Sequence, residues 1–260
     1  MKYMICLSGE PIQRPHIKEV IDLNCGIELQ SYGMKGIVSE LTWQERIMLH
    51  RDLLSGFNGD LAIHGPFIGM DFNHADHLIN AAINSRLDMV FEAAKTLSVR
   101  RIILHTGFSL ELEIFKLEER WFAKQVDFWQ NEVKRWADSN ITVVLENVVE
   151  KSPDMMVRLI DAVNHPNIGL CFDVGHQFMM SKLNAGAWIE KMGPRLRHVH
   201  LHDNHGQTDE HLPIGKGRID YLPIFKALKQ HSPEAVVSLE VDADIETKMA
   251  NLAFVMDRYK

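Results

Sequence analysis

Short apolar or β-branched runs alternate along the chain with longer stretches whose apolar residues recur at helical spacing. The short runs fall at 2–7, 26–30, 60–64, 101–105, 141–146, 168–173, 196–201 and 235–240. Their near-continuous hydrophobicity is that of parallel strands buried on both faces. The longer stretches fall at 12–22, 42–55, 74–97, 117–139, 153–164, 177–192, 221–230 and 244–258 and predict helices. Local punctuation agrees. Ser152-Pro153 offers an N-cap followed by a proline at the first helical position, and Pro166 cannot continue the helix before it. Asp220 and Asp244 are N-cap candidates for the last two helices. No Gly/Ser linker, charge block or low-complexity stretch divides the chain, so residues 1–260 read as one domain. Eight strands alternating with eight helices predict an α/β fold of the (β/α)8 barrel type. The competing doubly wound sheet usually has fewer strands and a glycine-rich first turn. The turn here is Ser8-Gly9-Glu10-Pro11, and no Walker loop, GxSxG or HExxH occurs.

Composition narrows the function classes. With 46% hydrophobic and 24% charged residues the chain can bury a sizeable core and is not a disordered, collagenous or coiled-coil type. Its 35 acidic against 28 basic residues give a net charge of −7, a poor match for sequence-independent binding to nucleic acid. No apolar run approaches the ~20 residues of a spanning helix, and the apolar start is short for a signal peptide. Cys6, Cys25 and Cys171 are odd in number and widely separated. They predict buried core residues in a reducing, cytoplasmic setting rather than a disulfide framework or a thiolate zinc site.

Chemistry enters at the strand ends. The third to eighth runs lead into His64, His105, Glu146, Asp173, His200 and Glu240 at or next to their ends. A histidine or carboxylate at one strand end is ordinarily a satisfied polar residue, a cap or a salt-bridge partner. Six in succession are another matter, because a parallel barrel brings all of these ends to one face, where barrel enzymes hold their chemistry. Carboxylates so crowded repel one another and resist desolvation. A divalent cation removes that conflict, and mixed nitrogen and oxygen donors suit Zn²⁺ or Mn²⁺. Two loops add donors: His176, three residues after Asp173, and Asp209-Glu210-His211 after the seventh strand. His198, His200 and His202 share a strand face by period two, which puts His198 deeper in the barrel and His202 nearer a substrate rim. Lys216, between Gly215 and Gly217, marks either a close approach to substrate or a tight bend. Glu28 could face the mouth or pair with a cation. Trp129 and Trp136 are spaced for helix packing, and His74 and His77 read as a solvated first helical turn.

These segments resemble the xylose-isomerase-like TIM-barrel superfamily, which includes sugar isomerases, epimerases and the family-2 AP endonucleases. The resemblance rests on Ile63-His64-Gly65-Pro66-Phe67, Leu104-His105-Thr106-Gly107, Leu145-Glu146-Asn147, Phe172-Asp173-Val174-Gly175-His176, His200-Leu201-His202-Asp203-Asn204, the segment from Asp209 to Asp220 and Leu239-Glu240. It implies two overlapping schemes. By likeness to the one-metal epimerases, Glu146, Asp173, His200 and Glu240 hold one ion, the two glutamates act as acid and base, and His176 contacts substrate. By likeness to the endonucleases, three zinc ions are held: the first by His64, His105 and Glu146, the second by Glu146, Asp173, His200 and Glu240, the third by His176, Asp209 and His211. The chain departs from both patterns. Glu150 does not match the epimerases' second glutamate in spacing, and Gly206 stands where they carry an arginine. Thr106-Gly107 stands where the endonucleases have proline-glycine.

The resemblance therefore implies a metal-dependent enzyme with one to three Zn²⁺ or Mn²⁺ ions per chain. The leading expectation is an isomerase or epimerase of a small sugar or polyol, free or phosphorylated, with Glu146 and Glu240 moving the proton and His176, His202 and Lys216 meeting the substrate. The alternative is a multinuclear zinc hydrolase of a phosphodiester or related bond, and a third reading is a non-catalytic, metal-dependent binding protein. The partner expected is a small molecule and not a membrane; nucleic acid is disfavoured without being excluded, and self-association is left open.

Overall fold

The computed structural model describes residues 1–7, 14–33 and 42–259. The turn at 8–11 and the first residues of the helix predicted from 12 lie outside them.

Eight parallel strands close on themselves in sequence order, β1 (Lys2–Leu7), β2 (Gly26–Leu29), β3 (Leu61–His64), β4 (Arg101–His105), β5 (Thr142–Glu146), β6 (Ile168–Asp173), β7 (Leu196–Leu201) and β8 (Val236–Leu239). β8 returns to β1 with Lys2 opposite Val236 and Ile5 opposite Leu239, which leaves no sheet edge unpaired. The predicted TIM barrel is the observed fold. Helices α1 (Arg14–Asp22), α2 (Trp43–Leu53), α3 (His77–Thr96), α4 (Leu110–Ile114), α5 (Glu118–Asp138), α6 (Asp154–Val163), α7 (Val174–Met180), α8 (Ala185–Met192), α9 (Tyr221–His231) and α10 (Ile245–Arg258) surround it. Among the described residues no helix is long and apolar enough to cross a membrane.

Two helical expectations need correction. The stretch at 177–192 is not one helix but two, α7 and α8. The break has a side-chain cause. Ser181 Oγ accepts from Leu183 N at 3.1 Å, and Asn184 Oδ1 accepts from Ala187 N at 2.9 Å, so these polar groups divert the backbone into a new N-terminus. A short extra helix, α4, also precedes α5. The caps expected at Asp220 and Asp244 are present, accepting from Leu222 N and Thr247 N. Ser152 and Pro153 sit one residue earlier than expected, since α6 begins at Asp154.

Apolar residues fill two compartments. The larger lies between strands and helices and includes Trp121, Trp129, Trp136, Trp188 and Phe172. The smaller fills the barrel interior with Met4, Ala62, Ile103, Val144, Cys171 and Val236. All three cysteines are buried and free. Above the interior compartment the inward positions turn polar. One irregularity fixes which polar residues arrive there. β6 and β7 pair Leu170 with Leu196 but then Cys171 with His198, a bulge that shifts the register by one residue. Asp173 consequently faces His200 across the ladder, where an unbroken register would have set Val199.

Candidate metal centre

β3, β4, β5 and β6 deliver His64, His105, Glu146 and Asp173 as their last residues, β7 delivers His200, and Glu240 follows β8 directly. Glu240 N donates to Leu201 O at 2.9 Å, which extends the β7–β8 pairing just far enough to fix it. Glu146 lies at the centre. Its Oε2 is 3.3 Å from His64 Nε2 and 3.8 Å from His105 Nε2, and its Oε1 is 3.3 Å from His200 Nδ1 and 3.5 Å from His176 Nδ1. His200 Nδ1 is also 2.9 Å from Glu240 Oε2 and 3.9 Å from Asp173 Oδ2. The six strand-end residues therefore do converge, His105 at the more open edge and the others buried.

A second group lies beside the first, nearer solvent. His176 Nε2 is 3.2 Å and His211 Nε2 2.9 Å from Asp209 Oδ2. His202 joins them, its Nε2 3.6 Å from Asp209 Oδ1 and its ring stacked on that of His211 at 3.9 Å between centroids. His176, His202, Asp209 and His211 could supply four donors to one ion. Alternation along β7 places His202 near a substrate rim; the structure instead buries it fully, with Nε2 3.1 Å from both Asp173 oxygens. Lys216 is exposed, on the turn whose Gly215 has φ +90°. The neighbouring Gly217 is a close approach: a Cβ there would stand 2.3 Å from Asp203 Oδ1.

Whether these residues suit a cation is answered by their unsatisfied atoms. Among the described residues Glu146 Oε2, Glu240 Oε2 and His200 Nδ1 are buried without a hydrogen-bond partner. His200 Nδ1 and Glu240 Oε2 are close, yet out of hydrogen-bond alignment. Buried orphan donors and acceptors facing one another are costly unless something between them is coordinated. The donor set fits a divalent ion of the Zn²⁺ or Mn²⁺ type.

The titration pattern agrees. Burial pushes Glu146 up, but the His200 and His105 charges outweigh it and hold the carboxyl well below its usual range. Burial opposes charge on His176, which Asp173 and Asp209 overcome, raising it well above the ordinary value. Against burial, the hydrogen bond to Asp209 and the Glu240 charge lift His211 to about 9. His105 goes the other way, pushed by burial down to about 4. In the ion-free chain protons thus balance the carboxylates, and a bound cation would replace them.

Beside this centre, at the β3 and β4 end, lies a cavity of about 470 Å³ that meets the candidate ligands at His105 and is lined also by Phe67, Thr106, Phe108, His74 and Val148 among others. Phe67 stacks on His105 with centroids 4.8 Å apart. Glu150 is buried beside it and accepts from Thr106 Oγ1 and from the amides of Val148 and Val149, so it braces the wall of the cavity.

Three supporting residues escaped the strand-end pattern. Gln30, past the end of β2, donates to Glu240 Oε1. Asn147 exchanges two hydrogen bonds with the Asp173 backbone and orients the start of α7. Glu28 meets His198 and His200 from below. Each is a polar residue on or beside an apolar strand, a signal visible in the sequence for Glu28 and Asn147 without indicating a partner.

A closed parallel barrel with a crowd of histidines and carboxylates at the C-terminal strand ends defines a class, and the chain belongs to the xylose isomerase-like TIM barrel family, whose model matches residues 28–256. Among solved structures, a D-tagatose 3-epimerase-like protein is similar at 21% identity over 100% of this chain and 97% of that one, with a TM-score of 0.76. The TTHB071 protein of Thermus thermophilus, soaked with zinc chloride, is similar at 21% identity over 99% and 98% of the two chains, with a TM-score of 0.76. Uncharacterized protein MJ1311 of Methanocaldococcus jannaschii is 24% identical over 213 residues, 73% of this chain and 67% of its own. At these identities the solved structures establish the fold.

Proposed function

We propose that this protein is a divalent-metal-dependent isomerase or epimerase of a small sugar or polyol, free or phosphorylated. One observation carries the reading: Glu146 and Glu240 approach His200 Nδ1 at 3.3 and 2.9 Å, and each keeps one buried oxygen without a hydrogen-bond partner. Glu146, Asp173, His200 and Glu240 would hold the ion. When bound, it would polarise a substrate carbonyl and acidify the neighbouring hydroxyl. One glutamate takes the proton from the carbon beside the carbonyl. Delivery of a proton already held by the other glutamate to the opposite face inverts that carbon; return of the first proton to the former carbonyl carbon, with the hydroxyl proton passing to the former carbonyl oxygen, isomerises the sugar instead. Phe67 and His105 wall the side where the sugar backbone would lie, and the cavity there is of the size small ligands occupy. The D-tagatose 3-epimerase-like neighbour supports this class.

A second reading, a multinuclear zinc hydrolase, is favoured by the outer group of His176, His202, Asp209 and His211 beside His64, His105 and Glu146. The net charge of −7 opposes a polymeric nucleic acid but not a small phosphodiester.

The test is a panel of ketoses and polyol-derived ketones incubated in D₂O with the Mn²⁺- or Zn²⁺-loaded protein and followed by proton NMR. Deuterium entering the carbon next to the carbonyl, and failing to enter with Glu146→Gln or Glu240→Gln, supports the isomerase. Hydrolysis of a model phosphodiester without any exchange would replace it with the second reading.

A further inference from the structure

The tier beneath the candidate metal ligands holds a carboxylate that takes no part in the constellation above. Glu28 on β2 is fully buried inside the barrel. Its Oε2 is 2.9 Å from His198 Nε2 and its Oε1 3.0 Å from His200 Nε2. An ionised carboxylate without access to water persists only if both oxygens are bonded. Each Glu28 oxygen faces one imidazole nitrogen, so both are bonded. A carboxylate can only accept, so both Nε2 atoms must donate.

That fixes the rest of His200. When the ring is neutral, as a metal ligand must be, its lone pair is confined to Nδ1, the atom that faces Glu240, Glu146 and Asp173. His198 reaches the other Glu28 oxygen from one step deeper on β7. It gives Glu28 a second hydrogen bond that does not compete for the centre above. The bulge between β6 and β7 sets both histidines inward over the same carboxylate.

We propose that Glu28 is a positioning residue of the metal centre, fixing His200 in its Nε2–H form with Nδ1 aimed at Glu146 and Glu240, and braced in turn by His198. The proposal rests on the reading that the mouth of the barrel binds a divalent ion. Both Glu28 oxygens are already engaged, so it acts through His200 and is not a ligand itself. Carboxylates placed behind metal-bound histidines in this way commonly contribute about 10- to 100-fold to metal affinity.

The experiment has two arms. In the first, the zinc-loaded wild-type protein is labelled with ¹⁵N-histidine, and long-range proton–nitrogen correlations report the His200 ring. A proton on Nε2 with Nδ1 shifted by zinc is expected; zinc on Nε2, or a proton on Nδ1, overturns the proposal. In the second, Co²⁺ affinity is measured against a chromophoric chelator, with the visible absorption bands of bound Co²⁺, for wild type, Glu28→Gln and Glu28→Leu. Both variants are expected to bind the central ion about 10- to 100-fold more weakly, with altered bands. Binding at His176, Asp209 and His211 should stay unchanged. The ion-free melting temperature of Glu28→Leu should not fall in proportion, which separates positioning from a general loss of packing. Unchanged central affinity and spectrum in both folded variants overturns the proposal and leaves the metal reading intact. Failure of the wild type to take up Zn²⁺ or Co²⁺ removes both together.

Discussion

Gly175→Ala tests the placement of the outer histidines, because a single methyl there collides with one ring. Gly175 is the second residue of α7, directly after the Asp173 cap and Val174. A Cβ at this position would stand 2.0 Å from His202 Cε1, 2.5 Å from Nε2 and 2.6 Å from Nδ1. The ring would have to retreat by about 1.4 Å to reach ordinary van der Waals contact. It has no slack, being fully buried, stacked on His211 and hydrogen-bonded to Asp173 at 3.1 Å. Losing a hydrogen bond to a charged group costs about 1.5–3 kcal/mol, and overpacking about 1–3 kcal/mol. Replacing a helical glycine by alanine returns up to about 1 kcal/mol. The net expectation is a destabilisation of about 3 kcal/mol, roughly 6–12 °C in Tm for a chain of this size. Thermal unfolding of the ion-free protein by circular dichroism measures it. In a His202→Ala background the ring is gone, and the methyl should become nearly neutral. If Gly175→Ala melts like wild type, or destabilises equally in both backgrounds, the ring is not where the structure puts it.

Other consequences are independent of that one. Asp209→Asn combined with His211→Ala should lower isomerase turnover only modestly if one central ion does the chemistry; total loss of turnover with normal folding would count against the one-metal scheme. Zinc entering the outer group at pH 7 should release protons, because His211 titrates at about 9 in the ion-free chain and must be neutral to bind metal there. Calorimetry in buffers of different ionisation enthalpy measures the release, and none would count against His211 as a ligand. His50, hydrogen-bonded to Tyr32 Oη at 2.9 Å, is pushed by burial, with help from the Arg46 charge, down to about 4. Its folded pKa lies below the unfolded value, so its contribution is present above about 6.5 and is lost as the pH falls towards about 4. That gap amounts to about 3 kcal/mol, and His50→Gln should flatten the acid limb of the stability curve by a comparable amount. Identical acid limbs in denaturant titrations of variant and wild type would contradict it.

The barrel was legible because buried parallel strands write themselves as short apolar runs, and because a strand-end His64 or Glu146 interrupts such a run abruptly. The division of 177–192 into two helices was not legible, since it turns on Ser181 and Asn184 choosing local backbone partners over the helix. That His198, His200 and His202 share one strand face follows from alternation, but their inward direction and their registry with Cys171 and Asp173 depend on a bulge that no residue type announces. His202 shows the limit most clearly. Its spacing marks it as a neighbour of His200, yet only the packing of α7 against β7, with Gly175 making room, sets it between Asp173 and Asp209.

The central claim is that the strand-end acids and imidazoles share a bound divalent ion. Its most direct measurement is metal content per chain after purification without added metal and dialysis against trace Zn²⁺ and Mn²⁺, for wild type and Glu146→Gln. At least one tightly retained ion in the wild type, lost or weakened in the variant, is the predicted result. A folded wild-type chain that retains none, or a variant that retains as much, would contradict it.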